Sequence, residues 1–325
     1  MDFYNPFESM TFTYDKCFMC GEILTDLNRS DEHVYPRWLQ REFNLWNKYL
    51  ILLNGTDIAY RNLTIPCCLK CNNDYLNKRI EKRVEEAVKG GYEKFKELDE
   101  STIFKWLNKI AYGTLFKELS LRADLKDKNS DPIYSQEQLE EHKIQFALLQ
   151  SIRFETEFFG SPWSILIFKI KNRIDNYYNA GDYIFQKYFF MQLNDIGIIS
   201  CLMDNGVQKE FFLEHYSYLL NVELHPIQFS ELCAKILTKA SLFCRTPYYT
   251  IKMPKDINDT MQIISHPVNG LSFSDWSQVL YCRMLEIFLK PWGITFDQIY
   301  IDDDHVITFL HNEDGSFKII DDKCI

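Results

Sequence analysis

The sequence predicts an α+β protein in three parts, with boundaries near residues 91 and 150. Five of the ten cysteines fall within the first 71 residues, which predicts a small stapled module over residues 1–91. Apolar residues recur at helical spacing from 92 to 150, which predicts a helical connector. Short β-branched and aromatic runs then alternate with helical patterns, which predicts a mixed α+β domain over residues 151–325.

The composition is that of an ordinary globular chain with ample material for a core, since 46% of the 325 residues are apolar and 15% are aromatic. No apolar run approaches the ~18–20 residues that a membrane-spanning helix needs. The first residues lack the basic and apolar regions of a signal peptide. We therefore expect a soluble cytoplasmic protein with no membrane partner.

The charge is distributed unevenly along the chain. The formal net charge is −10, but residues 10–83 carry 11 Lys and Arg against 9 Asp and Glu, so the remainder carries −12. This excludes a surface that contacts nucleic acid everywhere, while the N-terminal segment can still contact phosphates locally. The acidic C-terminal region is expected to regulate the protein or to dock a protein partner or a second copy of the chain.

The clustered cysteines form two C-x2-C pairs, Cys17 with Cys20 and Cys68 with Cys71. Each pair places two thiolates on one tight turn, and two pairs complete the tetrahedral four-sulfur shell of a structural zinc ion. Cys67 is an alternative to Cys68, although only Cys68 keeps the two-residue spacing. The scattered cysteines are predicted to be small core residues: Cys201, Cys233, Cys244, Cys282 and Cys324.

Between the two cysteine pairs, the dipeptide Asn54-Gly55 is a favoured hairpin turn, which would join strands at 49–53 and 58–65. Residues 37–48 resemble an amphipathic helix. A second helix is expected from Asn72 onward, because apolar residues recur at spacing four along one face: Leu76, Ile80, Val84 and Val88.

Beyond the module, the connector is expected to hold two helices with a polar loop at 126–132. The predicted strands of the last region lie at 163–170, 188–193 and 198–202, and its predicted helices lie at 229–242 and 274–289. A terminal sheet edge is predicted from residues 299–301, 305–310 and 317–320.

The order of motifs in the module resembles one nuclease family. An acidic residue and a His-x-x-Pro motif (Glu32, His33, Pro36) follow the first cysteine pair. Asn62-Leu63 precedes the second pair, and Asn72 follows it directly. This order is similar to that of the zinc-stapled HNH (His-Me finger) endonucleases, over residues 17 to about 89. The resemblance implies a ββα-metal finger with a structural zinc ion.

The resemblance also implies catalytic roles. His33 would be the general base, and a neutral imidazole suits proton abstraction near neutral pH. Asn62 would orient that base and its loop. Glu32 and Asn72 would hold one catalytic Mg²⁺ or Mn²⁺ ion, which prefers carboxylate and amide oxygens. Two alternatives stay open: Asp31 in place of Glu32, and Asn73 in place of Asn72.

A basic stripe on the second helix is the expected contact for a phosphate backbone. The alternative is an ordinary solvated helix whose cations pair with nearby Glu81, Glu85 and Glu86. The candidate nucleic-acid-binding residues are those of the stripe and two arginines after the His motif: Lys78, Arg79, Lys82, Arg83, Arg37 and Arg41.

The sequence therefore favours a metal-dependent HNH endonuclease that hydrolyses phosphodiester bonds in DNA rather than RNA, with a role in restriction or anti-phage (antiviral) defence. The alternative is a non-catalytic zinc-finger protein that binds nucleic acid or serves as an adaptor. The joint presence of His33, Asn62 and Asn72 favours the enzyme, because an adaptor has no need of a base and a metal-binding amide.

Overall fold

The computed structural model describes residues 4–119, 121–124, 126–127, 129–172, 174–245, 247–256, 259–267, 270, 272–302 and 305–320. The predicted mixture of helices and sheets is confirmed. The chain forms two compact units: residues 1–160 with 249–266, and residues 161–248 with 267–325. Segment 92–150 thus belongs to the same unit as the cysteine-rich module, and segment 249–266 leaves the predicted C-terminal domain to join that unit.

The first unit contains short strands near its N-terminus and longer helices after them. Its strands are β1 (Arg29–His33), β2 (Tyr49–Ile51), β3 (Asp57–Ala59), β4 (Thr64–Cys68), β5 (Thr156–Phe159), β11 (Tyr249–Lys252) and β12 (Met261–Ser265). Its helices are α1 (Pro6–Ser9), α2 (Arg37–Glu42), a π-helix (Cys71–Glu81), α3 (Lys82–Lys89), α4 (Gly91–Phe95), α5 (Glu100–Glu118) and α6 (Gln136–Leu149).

The antiparallel pair of β1 and β4 carries the two sequence motifs. Its register places Arg29 opposite Cys68 and His33 opposite Thr64. The π-helix follows β4 after only two residues, so the end of β4 and the first helical turn share one corner of the unit. The predicted apolar face of this helical segment is confirmed, since all four of its members are buried: Leu76, Ile80, Val84 and Val88.

The hairpin predicted at Asn54-Gly55 is confirmed, with β2 antiparallel to β3. The prediction of one strand over 58–65 is wrong, because a 3₁₀ turn at Tyr60–Asn62 divides it. The ring of Tyr60 packs edge-on against Tyr35 at 4.9 Å, which holds this turn on the unit. The strand that follows the turn, β4, pairs with β1 and not with β2.

The helix predicted over 37–48 is shorter than expected. α2 covers Arg37–Glu42 and is capped at Phe43. The next residue, Asn44, has a left-handed backbone with φ of 54°, which ends the helical path.

Helix α5 forms the centre of the first unit and packs against β4, the π-helix and α6. The close approach requires Gly113, because a Cβ atom there would lie 2.9 Å from Cγ2 of Val34. The helix therefore lies directly behind the loop that follows His33. The neighbouring turn of α5 includes Lys109, whose Nζ contacts the backbone oxygens of His33 and Val34.

The second unit is built on one five-stranded sheet of order β10-β6-β9-β8-β7. β10 is parallel to β6 and the other pairs are antiparallel. The strands are β6 (Ser164–Ile170), β7 (Tyr178–Tyr183), β8 (Tyr188–Leu193), β9 (Ile196–Cys201) and β10 (Glu223–Leu224). The helices are α7 (Val207–Tyr216), α8 (Pro226–Ser241), α9 (Gln278–Leu289) and α10 (Phe296–Ile299).

The strands predicted at 163–170, 188–193 and 198–202 and the two helices predicted after residue 228 are confirmed to within a few residues. The terminal sheet edge is not formed as predicted. Residues 296–299 form the short helix α10, and among the described residues from 300 to 320 isolated bridges alone join Tyr300 to Val306 and His311 to Phe317. No helix within the described ranges is long and apolar enough to cross a membrane.

Candidate functional site

The four cysteines of the two C-x2-C pairs come together in the first unit. Their Sγ atoms all lie within 4.8 Å of one another, and Sγ of Cys20 is 3.7 Å from Sγ of Cys68. Zn–S bonds of about 2.3 Å in a tetrahedron require S···S separations of about 3.8 Å, so the cluster fits a metal such as zinc. The group includes Cys68 and not Cys67, in agreement with the two-residue spacing of the second pair.

Local backbone geometry holds the cysteines in place. Gly21, directly after the first pair, has φ of 74°, and a Cβ atom there would collide with the ring of Tyr4 at 2.3 Å. The amide of Cys71 donates a hydrogen bond of 3.4 Å to Sγ of Cys68. Hydrogen bonds among the four thiols lower the pKa of Cys17 and raise the pKa values of Cys68 and Cys71.

A cavity of about 330 Å³ lies beside this cluster, between β1 and the first turns of the π-helix. Most of the predicted catalytic residues line it. The lining residues are Ser30, Asp31, Glu32, His33, Pro36, Arg37, Trp38, Asn72, Asn73, Asn77 and Glu81.

His33 is the last residue of β1, and its ring is held at the wall of the cavity. Only 8% of the residue is exposed, and Nδ1 lies 3.5 Å from Nε2 of Gln40. Burial lowers the pKa of His33 to about 4, with further lowering from the cations of Arg37 and Lys109. The imidazole is therefore neutral at pH 7, which is the form that can accept a proton.

Asn72 and Asp31 present oxygen atoms to the same cavity. Nδ2 of Asn72 donates a hydrogen bond of 2.9 Å to Oγ of Ser30, which leaves Oδ1 as the atom for a ligand. Asp31 is exposed, with Oδ1 3.6 Å from Nε of Arg29. Asn73 is exposed at the same helix start. Carboxylate and amide oxygens of this kind suit a hard divalent cation such as Mg²⁺ or Mn²⁺.

Glu32 has a different environment from Asp31, because a buried lysine binds it. The Lys109 ammonium forms ion pairs with Oε1 of Glu32 and, at 3.0 Å, with Oε1 of Glu81. Burial raises the pKa of Glu32 to about 8, an effect that the Lys109 charge opposes. For Lys109, burial disfavours the charge, but the two carboxyl groups outweigh it and the pKa is raised.

Lys109 is the site residue that sequence reasoning missed. Besides the two carboxyl groups, its Nζ donates to the backbone oxygens of His33 at 2.7 Å and Val34 at 3.0 Å. It comes from α5, more than 70 residues after the His motif and outside residues 17–89. The only sequence signal was a lysine within a mostly apolar helical run.

Asn62 lies in the 3₁₀ turn between β3 and β4, where it is exposed. It is not part of the cavity lining. The structure therefore brings His33, Glu32 and Asn72 together but leaves Asn62 at the surface of the unit.

The predicted basic stripe is largely engaged within the chain. Lys78 pairs with Asp74 at 2.6 Å, and Arg83 pairs with Asp99 at 2.7 Å. Arg79 donates a hydrogen bond of 3.1 Å to the backbone oxygen of Arg153. The remaining candidates are exposed: Lys82, Arg37 and Arg41.

Comparison with known proteins adds no further information about this site: no family model, no curated protein and no solved structure matches the chain.

Proposed function

We propose that the chain is a metal-dependent HNH endonuclease that hydrolyses phosphodiester bonds in DNA. The observation that carries the proposal is the single cavity that gathers His33, Asp31, Glu32 and Asn72 beside the four-cysteine cluster. The antiparallel β1–β4 pair followed by a helix supports a ββα-metal finger. The motifs stand in the order C-x2-C, acidic-His-x-x-Pro, C-x2-C-Asn, and the fold brings them into contact.

His33 acts as the general base in this proposal. Its neutral imidazole accepts the proton of the attacking water. Because burial lowers the pKa of the ring, the imidazole is not already protonated near neutral pH. The carbonyl contacts of Lys109 fix the backbone at His33 and Val34, which restricts where the ring can lie. Asn62 belongs to the turn that leads into β4. In this proposal it orients the backbone of that turn and does not line the cavity.

A divalent Mg²⁺ or Mn²⁺ ion would be held by Oδ1 of Asn72 and one carboxylate. When bound, the cation supplies charge stabilisation for the developing negative charge and the leaving 3′ oxygen. Glu32 and Asp31 both line the cavity, and they differ because Glu32 is bound by Lys109 whereas Asp31 is exposed. Separate Asp31→Asn and Glu32→Gln variants assign the ligand by the loss of cleavage and by its recovery at higher Mn²⁺ concentration.

The test is cleavage of plasmid, linear duplex, single-stranded DNA and RNA in the presence of Mg²⁺ or Mn²⁺. His33→Ala is expected to remove DNA cleavage while zinc content and the circular dichroism spectrum stay unchanged. His215→Ala, which alters an exposed histidine of α7, is the matched control and keeps activity. Undiminished cleavage by a folded His33→Ala protein would contradict the proposal.

A second candidate, a non-catalytic zinc-finger protein that binds nucleic acid or acts as an adaptor, has specific support. The Glu32 carboxyl is ion-paired in the interior, and both Arg79 and Arg83 are engaged within the chain. This candidate is favoured if the protein retards DNA in a gel but cleaves no substrate with either metal.

The biological setting that we propose is cytoplasmic restriction or anti-phage defence. It follows from the resemblance to HNH nucleases, and the acidic C-terminal region would then regulate the activity or bind a partner. Plaque counts on bacteria that express the wild type or His33→Ala test it directly, because only the active protein should reduce phage yield.

A further inference from the structure

The second unit contains a cavity that the nuclease proposal does not use. It has a volume of about 440 Å³ and lies between α8, α9 and residues 306–308. A volume of this size lies within the range of ~300–1,000 Å³ that is typical of small-molecule sites. All of its lining residues belong to the second unit.

Two lysines one helical turn apart on α8 face this cavity and contact aromatic rings. Nζ of Lys235 lies 5.1 Å from the ring centre of Tyr281, and Nζ of Lys239 lies 4.5 Å from that of Phe211. In the described part of the chain, neither ammonium has a carboxylate within ion-pair distance. Cation–π contact holds these charges without neutralising them, so both remain available to an anion.

Among the described residues that line this cavity, the one carboxylate, Glu231, is already satisfied. It is fully buried and accepts hydrogen bonds from the hydroxyls of Thr308 at 2.7 Å and Tyr281 at 3.3 Å. A third bond comes from the amide of Phe309. These donors fix the carboxylate as part of the wall, and among the described lining residues the two lysines outnumber it.

Trp276 offers an aromatic surface at the same cavity. Its ring is 40% exposed, packs 5.3 Å from that of Tyr281, and is oriented by a hydrogen bond of 2.8 Å from Nε1 to Gln278. A planar ring of a ligand can stack on this exposed face, as nucleic-acid bases stack on aromatic side chains in proteins that bind single strands.

We propose that this cavity binds a small anion that carries an aromatic ring, of the nucleoside phosphate class. The phosphate oxygens contact Lys235 and Lys239, and the base stacks on Trp276. The site lies in a different unit from the His33 cavity and needs neither of the proposed metals.

Isothermal titration of the full-length protein with ATP tests this assignment, without added divalent cation so that the first unit does not contribute. We expect saturable binding, with affinity at least tenfold lower in Lys235→Gln and in Lys239→Gln. Lys290→Gln removes an exposed lysine of the same unit outside the cavity and is expected to bind as the wild type does.

Orthophosphate and adenosine separate the two halves of the ligand. Each is expected to bind more weakly than ATP, and Trp276→Leu should lower the affinity for ATP while leaving that for orthophosphate unchanged. Absence of ATP binding at millimolar concentration, equal affinity for ATP and orthophosphate, or equal losses in Lys290→Gln and the cavity variants would overturn the proposal. Because the readout is binding, its failure is distinguishable from a failure of nuclease activity.

Discussion

Replacement of Lys109 by Met should destabilise the first unit far more than a typical loss of a lysine. The side chain is 1% exposed and its ammonium contacts two carboxyl groups and two backbone oxygens. Methionine keeps most of the apolar stem but supplies no donor. The substitution removes this partner from the carboxyl groups of Glu32 and Glu81 and from the backbone oxygens of His33 and Val34.

The expected loss of stability follows from the burial of the Lys109 ammonium. Removal of one partner from a buried ion pair costs about 3–5 kcal/mol, because it leaves an uncompensated polar group in the interior. Lys105→Met is the matched control on the same helix, since Nζ of Lys105 lies 5.8 Å from the ring centre of Phe158. Loss of that contact is worth about 1 kcal/mol. The free energy of unfolding of a typical domain is about 5–15 kcal/mol, so the difference in stability between the two variants is large enough to measure.

The assay is guanidinium denaturation followed by circular dichroism, with release of bound zinc to a chromogenic chelator as a second probe of the first unit. The double variant Lys109→Met/Glu32→Gln should lose less stability than the two single losses added together, with a coupling of about 1 kcal/mol or more. If Lys109→Met costs no more than Lys105→Met, the buried ion pair does not stabilise the unit and the reasoning fails.

Three further predictions concern the metal, a buried acid and the helix surface. Cys71→Ser should lower the zinc content below one ion per chain, as measured by elemental analysis. Cys67→Ser, which lies outside the four-cysteine cluster, should keep the zinc content unchanged. Burial raises the pKa of Asp204 from 3.8 to about 6, so the wild type should lose about 2 kcal/mol relative to Asp204→Asn as pH rises from 4 to 7, measured by urea denaturation. Lys82→Gln should weaken DNA binding in a gel-shift assay without loss of stability, whereas Arg83→Gln should lower the melting temperature because it breaks the ion pair to Asp99.

Features that depend on local spacing could be predicted from the sequence. The C-x2-C turns, the apolar face from Leu76 to Val88 and the strand at 188–193 each follow from positions a few residues apart. Pairing between distant segments could not be predicted in the same way. The sequence favours a continuous strand over 58–65, but a 3₁₀ turn at Tyr60–Asn62 interrupts it and β4 pairs with β1.

The candidate site shows the same limit. The resemblance to HNH nucleases implied that His33, Glu32 and Asn72 would meet at one site, and all three line one cavity. Lys109 contacts the same place from another helix, and periodicity carries no information on which buried lysine meets which carboxyl group. The approach of α5 depends instead on the missing side chain of Gly113.

Segment 249–266 has a consequence for the order in which the protein can fold during synthesis. β12 of this segment pairs with β5 in parallel and with β11 on its other side, so β5 has no strand neighbour until residue 265 has been made. The ribosome must therefore produce residues 161–248 of the second unit before the first unit can close its last sheet. A chain released at residue 160 would expose the edge of β5. The second unit becomes complete only late in translation.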